Sequence, residues 1–198
     1  MKALNINSFG YIMVVFILII MVKMYFDSDH HNLKCIISDV DGNKYCVRER
    51  NKITLVADLL ARTTQKLKKL VNHVGKKYPD RENVKRLVNG FNPKKIYEIL
   101  PTSKYTAYSE NKGEKLAFCV TKEKHGTQLI DENTLTFVAL HEISHIATKS
   151  IGHKEEFWKN FSFILKEAVD IGIYEPVDYS KKSQTYCSLK ITDNPYYD

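Results

Sequence analysis

The segment Val138-Ala139-Leu140-His141-Glu142-Ile143-Ser144-His145-Ile146-Ala147 places the pattern His-Glu-x-x-His inside an apolar run. Residues four apart lie on one face of an α-helix, so we expect His141 and His145 to point the same way, one turn apart. Two imidazoles in this arrangement can bind one metal ion. Glu142 lies about a third of a turn away, close enough to reach a water on that ion. The pattern therefore predicts a buried helix that carries a metal-binding face.

A third histidine follows in the segment Gly152-His153-Lys154-Glu155-Glu156-Phe157-Trp158. Neutral imidazoles suit Zn²⁺, and a catalytic zinc site takes three protein ligands and one water. His153 is the candidate third ligand, because Gly152 can end the helix and turn the chain back. A carboxylate from Glu155, Glu156 or Glu167 is the alternative third ligand. Without a metal, the same pattern would be a buried helix with two hydrogen-bonded histidines and a glutamate in a salt bridge.

The two segments together resemble the WLM and SprT-like zinc metallopeptidases, which carry His-Glu-x-x-His and, a few residues later, His-x-x-x-Phe. His153 and Phe157 match the second half of this pattern. A metzincin would need glycine at position 148 and histidine at position 151, where the chain has Thr148 and Ile151. The wider stretch from Tyr105 to Tyr174 is similar to the WLM-like predicted proteins of large nucleocytoplasmic DNA viruses. The resemblance implies a peptidase and leaves its substrate open.

The residues of the motif predict hydrolysis of a peptide bond by a zinc-activated water. Zn²⁺ bound by His141, His145 and His153 would lower the pKa of its water towards about 7 and polarise the peptide carbonyl. Glu142 would take the proton of the water and pass it to the leaving amine. Several residues bear a donor that could stabilise the transition state, and the sequence does not choose among them: Tyr105, Tyr108, Tyr186 and His125.

Two other functions would use the same residues. The first is a catalytically silent membrane structural or adaptor protein that keeps zinc for stability, in which Glu142 would have no role as a base. The second is a protease that acts on nucleic-acid-bound proteins, which the basic segment from 62 to 95 and the net charge of +7 favour. A solvated lysine-rich face is the ordinary interpretation of such a segment. The predicted partners are therefore a protein or peptide substrate, with nucleic acid as a further candidate through residues 62–95.

The N-terminal sequence is almost wholly apolar from Phe9 to Val22, and the apolar character resumes after Lys23. Counting Lys23, which can snorkel to the interface, the run approaches the length that crosses a bilayer. We therefore expect residues 9–26 to enter a lipid bilayer as an uncleaved, single-pass anchor, in a virion or host-cell membrane. The alternatives are a cleaved signal peptide, for which no small-x-small site follows, and a buried core helix. Residues 27–32 are polar and predict a linker.

Length and cysteine usage limit the remaining interpretations. The 198 residues suffice for one domain with a real core, assigned here to residues 27–198 after the anchor at 1–26. The four cysteines, Cys35, Cys46, Cys119 and Cys187, form no Cys-x-x-Cys pair, which argues against a cysteine zinc site. Free buried thiols are expected, and a Cys35–Cys46 bridge across a hairpin is the alternative.

Local patterns predict the order of helices and strands. The expected elements are a hairpin at 33–48 around Asp41-Gly42, helices at 53–77 and 81–89, a second hairpin formed by 105–109 and 115–121, the zinc helix at about 132–150, a helix at 155–171 and a strand at 185–191. The predicted fold class is α+β, with a small, mainly antiparallel sheet packed on helices that include the zinc helix, preceded by an N-terminal transmembrane helix.

Overall fold

The computed structural model describes residues 8–26 and 33–198. The helices are α1 (Ser8–Phe26), α2 (Ile53–Lys77), α3 (Glu82–Gly90), α4 (Glu132–Ala147) and α5 (Glu155–Asp170). The strands are β1 (Leu33–Ile37), β2 (Lys44–Arg48), β3 (Ile96–Glu98), β4 (Ala107–Glu110), β5 (Lys115–Phe118), β6 (Gln184–Tyr186) and β7 (Leu189–Ile191). The predicted linker at 27–32 lies outside the described residues, so the boundary between residues 26 and 27 stays a prediction.

The N-terminal segment forms the helix α1, but the prediction that it is a transmembrane anchor is wrong. Among the helices of the described ranges, none combines the length and the apolar character that crossing a bilayer requires. Lys23 limits the uninterrupted apolar run to residues 9–22. At about 1.5 Å per residue this run is about 21 Å long, short of a hydrocarbon core of ~30 Å. The predicted single-pass membrane localisation depended on this anchor and is therefore also wrong.

The predicted α+β class is confirmed, with small sheets that pack on helices. The sheets are β1–β2, the three strands in the order β3-β5-β4, and β6–β7. All pairs are antiparallel except β3 with β5, which run parallel. The first hairpin turns where Asp41-Gly42 predicts it, with Gly42 at a φ of 67° that favours glycine. Strand β4 lies at one edge of its sheet, beside α4.

Helix α4 is the central helix of the fold, since α2, α3 and α5 pack around it and β4 and β5 lie against it. Its N-terminus is capped by Asp131, whose Oδ1 accepts the backbone N–H of Thr134 at 2.8 Å. Apolar side chains surround nearly its whole length, which explains the absence of a polar face in the sequence. The fully buried side chains of α4 include Leu135, Ala139, Leu140 and Ile143.

Helix α4 ends at Ala147, three residues before the predicted end, and side chains from α3 and α5 hold the chain where it leaves the helix. Thr148 is already extended, with φ −94° and ψ 131°. The guanidinium of Arg86 donates to the Ala147 carbonyl at 2.9 Å. Asn160 of α5 donates to the Thr148 hydroxyl at 2.9 Å. These contacts turn the chain away from the helix towards His153.

Both cysteine pairs are disulfides, so the expectation of free thiols is wrong and the alternative Cys35–Cys46 bridge is confirmed. Cys35 and Cys46 are directly opposite in the β1–β2 pair, with their Cα atoms 3.9 Å apart. Cys119 and Cys187 are 68 residues apart in sequence, and their Cα atoms are 5.9 Å apart. The second bridge ties the chain after β5 to the C-terminal hairpin.

The C-terminal segment is a hairpin of β6 and β7, where a single strand was predicted. The chain reverses at Cys187 and Ser188, whose φ angles are 50° and 67°. Non-glycine residues rarely adopt this conformation, and the sequence carries no glycine or asparagine there to indicate a turn. The Cys187 and Ser188 N–H groups donate to the carbonyls of Thr121 and Lys122, which holds the hairpin against the chain after β5.

Candidate metal centre

The structure brings together the three histidines that the sequence analysis selected. One ring nitrogen from each of His141, His145 and His153 lies within 4.8 Å of the other two. The ring centroids are 5.0 Å apart for His141 and His145, and 4.9 Å apart for each pair with His153. The Nε2 atoms of His141 and His153 are 3.0 Å apart. His141 and His145 come from one face of α4, and His153 comes from the loop that precedes α5.

The donor set suits a zinc ion. Two nitrogens bound to one tetrahedral zinc at about 2.05 Å would lie about 3.3 Å apart, close to the separation of the His141 and His153 nitrogens. Burial lowers the pKa of His141 to about 3, and the neighbouring His145 and His153 add to the shift. Burial also lowers the pKa of His145 to about 4. Both rings are therefore neutral at pH 7, the form in which imidazole binds a metal.

The alternative carboxylate ligands are engaged elsewhere. Glu155 is exposed and pairs with Lys159 on its own helix at 2.6 Å. Glu156 accepts backbone N–H groups, and Glu167 lies in an ion-pair network with α2. Within the described ranges, the set of potential metal ligands formed by His141, His145 and His153 contains no carboxylate. The geometry thus favours His153 over the glutamates as the third ligand.

Glu142 follows the first histidine on α4 and points into the protein. Its side chain is buried, with 6% of the residue exposed, and burial raises its pKa to about 8. Tyr186 lies close enough for electrostatic interaction: burial raises its pKa, and the charge of Glu142 adds to the shift. A bound cation would favour the carboxylate form of Glu142, since an opposite charge stabilises the ionised group. The residue is therefore a buried carboxyl group that follows the metal-ligand candidate His141 on the same helix.

Aromatic side chains of α5 form the wall behind the histidines. The ring of Phe157 is fully buried and stacks on His145, with the centroids 4.3 Å apart. The same ring contacts His141 at 4.8 Å and His153 at 4.7 Å. Phe157 thus seats α5 against α4 and limits the positions of all three imidazoles. Trp158 is 43% exposed, and its Nε1–H donates to the His153 carbonyl at 3.1 Å.

The loop that carries His153 is held by Glu156, a contact that the sequence analysis missed. The Glu156 carboxylate accepts the N–H groups of Lys149 and Ser150, each at 3.0 Å. These bonds lower its pKa to about 2. Gly152 allows the loop to turn, since its φ is 79°. No sequence signal marks these contacts, because a glutamate in the first turn of a helix is common for reasons of local charge alone.

The candidates for transition-state stabilisation occupy different environments. Tyr186 is buried, and its hydroxyl donates to the Thr106 carbonyl at 3.1 Å. Tyr105 is half exposed and lies against Tyr108, with ring centroids 5.8 Å apart. His125 is exposed on the loop after β5. Of these four, Tyr186 interacts electrostatically with Glu142, although its hydroxyl already donates a hydrogen bond to the backbone.

A second group with metal-ligating side chains joins α2 to α5. His73, Glu167 and Asp170 offer ligand atoms within 4.8 Å of one another. The Lys77 ammonium lies 3.0 Å from a Glu167 oxygen and 3.4 Å from an Asp170 oxygen, and Tyr78 donates to Glu167 at 2.7 Å. The lysine thus supplies the positive charge that these carboxylates need. The group is an ion-pair network between two helices.

The basic segment from 62 to 95 is partly neutralised by contacts within the protein. Its ion pairs include Arg62 and Lys66 with Glu132, Lys77 with Glu167, Lys85 with Glu82, and Arg86 with Glu156. Lys85 and its partner lie on the same helix, and the other four cations connect α2 and α3 to α4 and α5. The prediction of a nucleic-acid contact through this segment stays a prediction.

Comparison with other proteins gives viral relatives. No protein-family profile and no solved structure matches the chain. Uncharacterized protein R325 of Acanthamoeba polyphaga mimivirus is 29% identical over 161 residues, which cover 79% of this chain and 81% of that protein. Uncharacterized protein 042R of Invertebrate iridescent virus 3 is 34% identical over 102 residues, which cover 52% of this chain and 58% of the relative. These names state no activity, so the resemblance to the WLM and SprT-like metallopeptidases stays a prediction.

Proposed function

We propose that the protein is a zinc metallopeptidase that hydrolyses peptide bonds with a metal-activated water. One observation carries the proposal: the three histidines converge at a site where His153 is exposed, and Glu142, the residue after His141, is a buried carboxyl group. Structural zinc sites are closed by four protein ligands, whereas catalytic sites keep one position for water. Three imidazoles with an exposed side fit the catalytic type, which argues against the structural or adaptor alternative.

The residues of the chain have distinct roles in this proposal. Zinc, when bound, would supply a Lewis acid that lowers the pKa of water towards about 7. His141, His145 and His153 would hold it, with Phe157 behind the rings. The Glu142 carboxylate would accept the proton of the attacking water and deliver it to the amine that leaves. Its buried position keeps bulk water from competing for that proton.

The edge strand β4 is the candidate binding site for an extended substrate. The backbone N–H of Cys119 donates to the Thr106 carbonyl, and Tyr108 pairs with Ala117 two residues further along β4. In an antiparallel pair every second residue is hydrogen-bonded to its partner, so the backbone groups of Ala107 and Ser109 point away from β5. A peptide can add to such an edge as a further strand. Because β4 packs beside α4, a peptide bound there would pass close to the histidine cluster. This supports a protein or peptide as the substrate class.

The proposal is tested with the purified full-length chain. We expect about one zinc per chain by metal analysis, and cleavage of a denatured protein mixture that a chelator abolishes and added zinc restores. His141→Ala should lose both stoichiometric zinc and cleavage. Glu155→Ala is the matched control, since Glu155 is an exposed residue of α5 that lies outside the cluster. Full zinc retention in His141→Ala would contradict the assigned ligand set.

A further inference from the structure

The turn between β4 and β5 holds a lysine in a conformation that lysine rarely adopts. The Gly113 N–H donates to the Glu110 carbonyl at 3.0 Å, which closes a four-residue turn. Its two central residues, Asn111 and Lys112, have φ angles of 46° and 56°. A turn with positive φ at both central positions strongly favours glycine at the second one. Lys112 therefore occupies a strained position, and such positions often serve a function.

The side chain of Lys112 reaches across to the C-terminal end of α4. Its ammonium donates to the carbonyl of His145 at 3.3 Å, to that of Thr148 at 2.7 Å and to that of Ser150 at 3.1 Å. The carbonyl groups at a helix C-terminus lack partners within the helix and attract cations. His145 is itself a residue of the histidine cluster, and Ser150 lies in the loop that leads to His153. One ammonium group thus joins the two segments that carry the cluster.

The turn cannot shift easily away from α4, because two backbones and the Ile146 side chain meet closely at its base. A Cβ atom added at Gly113 would lie 2.4 Å from the Gly90 carbonyl oxygen and 2.7 Å from Ile146 Cδ1. A Cβ atom at Gly90 would lie 2.6 Å from the Lys112 carbonyl oxygen. The turn is therefore wedged between the end of α3 and the last turn of α4. This packing fixes the point from which the Lys112 side chain extends.

We propose that Lys112 is a positioning residue for the metal centre, which holds the α4 segment with His145 and the loop with His153 at the separation that zinc binding needs. The inference rests on the zinc site of the proposed function. Residues that orient metal ligands without touching the metal typically change metal affinity by about 10–100-fold when they are replaced. A residue that served only the turn would have no such effect.

Three substitutions separate the two roles. Lys112→Gly removes the ammonium and relieves the positive φ, so it should favour the turn while it weakens zinc binding. Lys112→Met removes the charge and keeps the stem of the side chain. Lys112→Arg retains a cation that can donate to carbonyl groups. Asn111→Gly is the matched control, because it relaxes the neighbouring positive φ and leaves the Lys112 ammonium in place.

The measurement is zinc affinity of the full-length chain, by competition with a chelator, together with the visible absorption spectrum of the Co²⁺-loaded protein. We expect Lys112→Gly and Lys112→Met to weaken zinc binding by about 10–100-fold and to alter the Co²⁺ spectrum. Lys112→Arg and Asn111→Gly should stay within about threefold of the wild type, well below that range. Wild-type affinity and spectrum in both the glycine and methionine variants would overturn the inference and leave the proposed function intact. A wild-type chain that binds no zinc would overturn both.

Discussion

Phe157 links the stability of the fold to the metal centre, so Phe157→Ala should damage both. The ring is fully buried and contacts all three histidines, most closely His145 with centroids 4.3 Å apart. Truncation of a buried phenylalanine costs about 3–5 kcal/mol, from lost burial and the cavity that remains. Domains of this size are stable by about 5–15 kcal/mol, so the metal-free variant should lose a large part of its free energy of unfolding.

The effect on zinc binding adds to this loss. Without the ring, the three imidazoles lose the surface that limits their rotation, and zinc affinity should fall by about 10–100-fold. A ligand that binds only the folded state stabilises it according to its affinity. At saturating zinc, the zinc-dependent gain in unfolding free energy should therefore be about 1.4–2.7 kcal/mol smaller in Phe157→Ala than in the wild type.

Urea denaturation in chelator measures the free energy of unfolding without metal, and the same titration in saturating zinc gives the zinc-dependent gain. Phe157→Leu is the matched control, since it keeps most of the apolar volume and removes the planar ring; its metal-free cost should be below about 1.5 kcal/mol. A metal-free Phe157→Ala protein within about 1 kcal/mol of the wild type would refute the assignment of Phe157 to the core. Equal zinc-dependent gains in both proteins would refute its role behind the histidines.

Two further predictions concern the loop that carries His153. Trp158→Phe removes the donor to the His153 carbonyl and keeps an aromatic ring. In parallel titrations, we therefore expect the free energy of zinc binding to weaken by more than the free energy of unfolding does. Unchanged zinc affinity would contradict this. The Glu156 carboxylate has a pKa lowered from 4.5 to about 2 by backbone N–H groups, so its stabilising effect is present above about pH 4.5 and is lost as the pH falls through about 2. The stability difference between the wild type and Glu156→Gln should shrink over that range in urea titrations, and a difference independent of pH would contradict the assignment.

The parts of the fold with local signals could be predicted from the sequence. The spacing of His141 and His145 on one helical face required only the helix period, and the burial of α4 followed from its apolar run. The Asp41-Gly42 turn and the Asp131 cap are also signals of a few residues. The convergence of His153 with the other two histidines rested on a resemblance and on Gly152. These features were predictable because each depends on residues close together in the chain.

The remaining features depend on residues far apart in the chain. The Cys119–Cys187 disulfide joins positions 68 residues apart, and nothing near either cysteine indicates its partner. Lys112 looks like an ordinary exposed turn lysine until its ammonium is seen at the end of α4. The prediction of an N-terminal anchor was wrong for a different reason. It treated residues 9–26 as one apolar run, although Lys23 divides this run.

The most direct test of the proposed function replaces Glu142 with glutamine, which has nearly the same shape and cannot accept a proton. Because the histidine cluster does not include Glu142, we expect Glu142→Gln to keep the zinc content of the wild type. A positioned general base typically contributes about 10²–10⁴-fold, so cleavage of a denatured protein mixture by the zinc-loaded full-length variant should fall by that factor. Equal turnover by the two zinc-loaded proteins would contradict the role of Glu142 as the general base.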